Sequence, residues 1–152
     1  MTLLVDTSVW SLAFRCDSDG SSAEVLALCQ ALEGGDLVVT AGLMLQVLQQ
    51  GFSWPRASKD LIDQFSALPF LSLDRQDHID AAERRNKCGR SGVQAGTIDA
   101  LLAQLCVRHG LTLFTTDKDF AHIALHCQLA LWKPLRYQAP NDVLRSFRNG
   151  AL

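Results

Sequence analysis

Short apolar runs alternate with helical patterns along nearly the whole chain, and this alternation restricts the fold more than any other feature. LLV at 3–5, DLVVT at 36–40, FLSL at 70–73, LTLFTT at 111–116 and LALW at 129–132 each read as a short buried strand. The stretches between them carry apolar residues at helical spacing. Val25, Leu28, Cys29 and Leu32 mark one helix, stopped by Gly34-Gly35. Ser8 to Phe14 and GLMLQVLQQG at 42–51 are two more, and Pro55 starts another that carries Leu61, Ile62 and Phe65 on one face. Gln76 to Cys88 continues the pattern, followed by a glycine-rich loop, GRSGVQAG, at 89–96. Thr97 to His109 presents Ile98, Leu101, Leu102, Leu105 and Cys106, and a short helix follows over 117–124. Strands regularly separated by helices predict an α/β fold: a central, mostly parallel sheet of about five strands flanked by helices. A single domain over 1–135 accounts for the pattern, and the polar stretch 136–152 reads as a loosely ordered tail.

Composition narrows the function classes. A net charge of −2 gives no bulk attraction to nucleic acid, so any such binding requires a local basic patch. The five cysteines are odd in number and scattered, with no CxxC pair, which argues against a zinc site and a disulfide framework. Cys29 and Cys106 read as small core residues. No signal peptide and no apolar run of about 20 residues is apparent, so the expected setting is the cytoplasm, away from any membrane.

The acids fall in a telling place. In parallel sheets, ligands bind beyond the carboxyl ends of the strands. Asp6 directly follows the first strand, and Asp117 directly follows the fourth. Asp99 lies in the first turn of its helix, where the dipole favours negative charge. Each acid alone is explained by helix capping. Together they suggest a hard-cation site for Mg²⁺ or Mn²⁺, provided the strands are neighbours.

Three blocks in this order, LLVDTSVW at the start, TIDALLAQLCVRHG at 97–110 and LTLFTTDKDFAHIA at 111–124, resemble the PIN-domain ribonucleases, in particular the VapC-type toxins of bacterial toxin–antitoxin pairs. The resemblance covers nearly the whole chain. It implies a PIN-like fold, a Mg²⁺- or Mn²⁺-dependent endoribonuclease, a homodimer, and silencing by a cognate VapB-type antitoxin. It also implies that Asp6, Asp99 and Asp117 are catalytic and metal-binding, with Asp119 able to share the last role. Ser8 and Thr116 match supporting hydroxyl residues. One position departs from the pattern. The family has a glutamate four residues before a glycine, in a helix of the form LQEVLQG, and here LQVLQQG places Val47 there. The resemblance therefore leaves two readings open: an active, weakened nuclease toxin, and an impaired PIN domain that only binds antitoxin or RNA.

Arg84, Arg85, Lys87, Arg90 and Lys118 lie near the acidic segments and are candidate contacts to RNA phosphates. A solvated basic helix end explains the 84–90 cluster equally well. The histidines form no pattern, and Trp10 and Trp54 read as packing or interface residues. A phosphatase or response-receiver domain also places acids at strand ends, but the TIDALLAQLCVRHG block argues against one.

Overall fold

The computed structural model describes residues 1–14, 22–51 and 55–134. The tail expected at 136–152, Cys16 and Trp54 lie outside them. In chain order the elements are β1 (Thr2–Val5), α1 (Thr7–Phe14), α2 (Ala23–Glu33), β2 (Leu37–Ala41), α3 (Gly42–Gln50), α4 (Pro55–Ser66), β3 (Phe70–Leu71), α5 (Arg75–Arg90), α6 (Thr97–His109), β4 (Thr112–Phe114), α7 (Asp119–Ala124) and β5 (Ala130–Leu131).

The strands form one parallel sheet in the order β3-β2-β1-β4-β5. β1 is central, with Leu4 opposite Val39 on one side and Leu113 on the other. Side chains alternate across a strand, and the core divides accordingly. Leu4, Val39 and Leu113 pack on one face with Met44, Leu102, Leu105 and Phe120. Leu3, Val5, Val38 and Phe114 pack on the other with Val9, Trp10, Leu28, Leu61 and Phe65. Apolar burial on both faces is why these strands read as continuous hydrophobic runs.

Several boundaries and faces differ from the sequence reading. Only Phe70 and Leu71 of FLSL pair, and only Thr112 to Phe114 of LTLFTT. Thr115 and Thr116 leave the ladder because their hydrogen-bonding groups serve a neighbouring carboxylate and its support, described below. α5 runs on through Gly89 to Arg90, so the glycine-rich loop shrinks to 91–96. Cys29 is exposed, not a core residue. The stripe of α2 that meets the sheet is Val25, Leu28 and Ala31; Cys29 lies about 100° around the helix from the centre of that stripe, and Leu32, in the last turn, is exposed. Ile62 and Ile98 are likewise exposed, while Leu61, Phe65, Leu102, Leu105 and Cys106 are buried as expected.

α5 and α6 are joined by a polar clamp that periodicity does not reveal. Asp77, 1% exposed, closes a capping box at the start of α5 with Asp74. It also accepts from Arg108 at the far end of α6, whose Nη1 lies 2.9 Å from Asp74 Oδ2 as well. The buried Gln104 amide reaches Asp77 at 3.5 Å and Asp80 at 3.4 Å, and its oxygen accepts from Arg84 Nε at 2.7 Å. Burial pushes the Asp77 carboxyl up, but the Asp74 amide, Arg108 and Gln104 outweigh it and hold the group below its ordinary value. Asp77→Ala strands these donors and should cost about 1–3 kcal/mol, read from the denaturation midpoint at neutral pH. Because the folded-state value is depressed, the ionised Asp77 stabilises the fold above the ordinary carboxylate range, and this is lost as pH falls through the folded value. The gap between wild type and Asp77→Ala should therefore narrow in acid. A gap independent of pH would show that the clamp's charge contributes nothing.

Candidate functional site

The chain runs outward from central β1 to β2 and β3, then returns to the other side of β1 for β4 and β5. The order thus reverses between β1 and β4, which is where ligands gather in open parallel sheets. Asp6 follows β1, and its backbone N–H donates to Phe114 O at the end of β4 at 2.8 Å. Its own carbonyl accepts from Val9 and Trp10, starting α1.

The Asp6 carboxylate is 6% exposed and well held. Oδ1 accepts from Thr7 N at 2.7 Å and from Thr7 Oγ1 at 3.3 Å. Oδ2 accepts from Ser8 Oγ and from Thr115 Oγ1, both at 2.8 Å. These donors satisfy a buried charge that would otherwise be costly. Asp6 therefore does more than cap α1: its carboxylate ties β1 to the strand-end turn after β4.

That turn carries the next acid. Asp117 N donates to Thr115 Oγ1 at 3.0 Å, and Asp119 N donates to Asp117 Oδ1 at 2.9 Å. A single hydroxyl thus links Asp6 to the Asp117 backbone. The sequence pointed to Thr116 as the supporting hydroxyl residue. In the structure Thr116 contributes its backbone N–H, to Ser8 Oγ at 3.1 Å, and Thr115 supplies the hydroxyl that touches Asp6. Two adjacent threonines at a strand end cannot be told apart by pattern alone; the alternation of β4 would have favoured neither once the ladder ended.

Asp99 enters from the first turn of α6. Its Oδ2 accepts from Gly96 N at 3.1 Å. A Cβ at residue 96 would lie 2.9 Å from that oxygen, so a side chain there would push the Asp99 carboxylate aside. Burial pushes the Asp99 carboxyl above its ordinary value; the Gly96 amide opposes this, and the charges of Asp117, Asp6 and Asp119 add to the rise. The structure thus brings the four acids near enough to repel one another. It does not draw three together around one point: among the described residues, no group of three or more His, Cys, Asp or Glu side chains stands placed to hold an ion. The carboxylates of Asp6, Asp99 and Asp117 instead accept from the local donors named above.

Val47 is half-buried on α3, between the buried Met44 and Leu48. α3 packs against α1, the helix that begins beside Asp6. Arg85 and Arg90 border a cleft of about 920 Å³ that also touches Asp99 and Asp119. Arg84 is taken up by Gln104, Lys87 lies beside other depressions, and Lys118 is exposed between Asp117 and Asp119. Among the described residues, no helix is long and apolar enough to cross a membrane.

Three comparisons bear on this arrangement. The sequence profile of the PIN domain matches residues 3–125. A VapC ribonuclease of Mycobacterium bovis and ribonuclease VapC11 of Mycobacterium tuberculosis are each 29% identical over 126 residues, covering 80% of this chain and 91% of theirs. Among solved structures, VapBC2 of Rickettsia felis bound to a promoter DNA fragment superposes with a TM-score of 0.69 at 20% identity, over 88% of this chain and 100% of that one. Mycobacterium tuberculosis VapC20, a sarcin–ricin loop cleaving toxin, gives 0.61 at 15% identity, over 78% and 92%.

Proposed function

The chain belongs to the PIN-domain family, and from that premise we propose that it is a divalent-metal-dependent endoribonuclease, the toxin of a VapBC-type pair. The observation that carries this reading is that Asp6, Asp117 and Asp119 all lie within electrostatic reach of Asp99 where the strand order reverses, each adding to a rise of its carboxyl that burial chiefly causes. Hard carboxylate oxygens are the donors that Mg²⁺ and Mn²⁺ prefer. Mutual repulsion among these acids is what such a cation would relieve, so the donor set fits. Asp6, Asp99 and Asp117 would hold the ion, with Asp119 beside Asp117. When bound, a divalent cation supplies a more acidic water and offsets charge on phosphoryl oxygens.

The chain's own residues do the positioning. Thr7, Ser8 and Thr115 fix both Asp6 oxygens, and Gly96 fixes Asp99. Water attacking the phosphodiester must give up a proton, and a carboxylate of this set would receive it. The phosphorus–oxygen ester bond opposite the attacking oxygen breaks, and the departing oxygen takes up a proton. Outer partners of metal-binding carboxylates typically matter 10- to 100-fold. Thr115→Val, which removes only the hydroxyl, should lower cleavage by about that factor. Thr116→Val keeps its backbone N–H and should cleave near the wild-type rate. Equal rates for Thr115→Val and wild type would remove Thr115 from the site.

The direct test is a cleavage time course on a pool of cellular RNA with Mg²⁺ or Mn²⁺. Wild type should cut, while Asp99→Asn or a chelator should stop it. No cutting by freshly purified, folded protein on any RNA in the pool would reject the nuclease reading. Val47 favours a second reading, a PIN domain that binds antitoxin or RNA without cutting. The neighbours solved as VapBC complexes support a VapB-type partner for this chain; a homodimeric toxin and a cytoplasmic setting belong to the same proposal. The negative charge at the acids would attract an arginine or lysine from the antitoxin's carboxyl-terminal segment. A complex that leaves the acids open would reject that mode of inhibition.

A further inference from the structure

The basic residues at the end of α5 are not equivalent. Arg84 Nε is committed to Gln104 Oε1 at 2.7 Å, inside the α5–α6 clamp. Lys87 borders one depression with Glu83, Asn86 and Arg90 and another with Leu125 and Cys127, and neither is lined by Asp99 or Asp119. Arg85 and Arg90 instead wall the cleft that contains Asp99 and Asp119, with Asn86 and Gln94 between them. Among the described residues Arg85 is anchored at one point: its Nε donates to Ala95 O at 3.0 Å. That bond holds the planar guanidinium and leaves its terminal nitrogens for a ligand, the arrangement in which arginine grips phosphate with two parallel hydrogen bonds.

The charge balance calls for such a wall. A chain of net charge −2 with acids crowded at its site repels a polyanion unless cations stand beside those acids. We propose that Arg85 and Arg90 bind the phosphates of an RNA strand that flank the one at the acids, and that Arg84 and Lys87 take no part. The cleft is therefore the strand's path, and its arginine wall fixes where along the strand the acids act. This rests on the nuclease reading above, and its test separates the two.

A labelled, mixed-sequence single-stranded RNA is titrated with protein in chelator, and affinity is followed by anisotropy across a salt series. Each phosphate contact on a single strand contributes about 0.7 to the slope of log affinity against log salt. Arg85→Gln and Arg90→Gln should each reduce the slope by about 0.7. Arg85→Lys, which keeps the charge, should hold the wild-type slope with weaker binding, and this distinguishes lost contact from lost folding. Lys59→Gln, an exposed charge on α4 away from the cleft, should leave the slope unchanged. Arg84→Gln should lower the melting temperature without changing the slope. Cleavage with Mg²⁺ is measured in parallel. Reduced slopes with no cleavage would sustain the strand path and reject the nuclease reading. Cleavage with unchanged slopes in Arg85→Gln and Arg90→Gln would overturn the strand path and leave the nuclease reading intact. Absence of RNA binding by wild type would overturn the strand path.

Discussion

Val47→Glu should raise Mg²⁺- or Mn²⁺-dependent RNA cleavage by about 10²–10⁴-fold, the scale of a positioned general base. In the family pattern that the chain resembles, the place of Val47 is a glutamate's, and Val47 is half-buried on α3. α3 packs against α1, whose first residues hold Asp6, so a glutamate on α3 would sit on the helix beside the one that fixes this acid. The new carboxylate would orient the attacking water or add a ligand. It also adds like charge to acids that already repel, so in chelator the variant should melt at a lower temperature than wild type. Time courses at equal metal, with Asp99→Asn as the inactive control, decide the matter. Equal rates for parent and variant, both abolished in the control, would show that Val47 disables nothing.

Phe114→Ala should destabilise the fold by about 3–5 kcal/mol. Phe114 is fully buried, pairs with Val5 in the sheet and packs its ring 4.1 Å, centroid to centroid, from Trp132. Truncation leaves a cavity in a layer packed by Leu3, Val5, Leu28 and Leu61. The same residue's carbonyl receives Asp6 N–H, so loosening β4 loosens the acid that faces it. Urea denaturation measures the loss, and a midpoint shift worth less than about 1 kcal/mol would mean the layer repacks.

The parallel α/β sheet was legible because both of its faces are buried, which turns each strand into an uninterrupted apolar run. The placement of Asp6 and Asp117 after strands was legible for the same reason: a run that ends on a carboxylate marks the sheet's edge. What escaped the pattern depends on contacts between distant segments. Thr115 and Thr116 look alike until Asp6 chooses one hydroxyl. Asp77 and Arg108 lie 31 residues apart, and neither shows a periodic signal. Cys29 was assigned to the core by spacing alone, but the stripe through Val25, Leu28 and Ala31 was the one that met the sheet. Arg84 reads as one more cation in a basic run until Gln104 is seen to hold it.

The hydrogen bond from Asp6 to Phe114 also sets an order of events during synthesis. A ribosome that has made the first strand and α6 has already produced Asp6 and Asp99, yet Asp6 still lacks its β4 partner. Translation adds about 5–20 residues per second, and sheets closed by distant strands form late. The first acid therefore reaches its final setting only when nearly all of the described chain has emerged. A truncated product ending within α6 would carry Asp6 and Asp99 without the strand that orders the first of them, and a stalled ribosome would not release a finished set of acids.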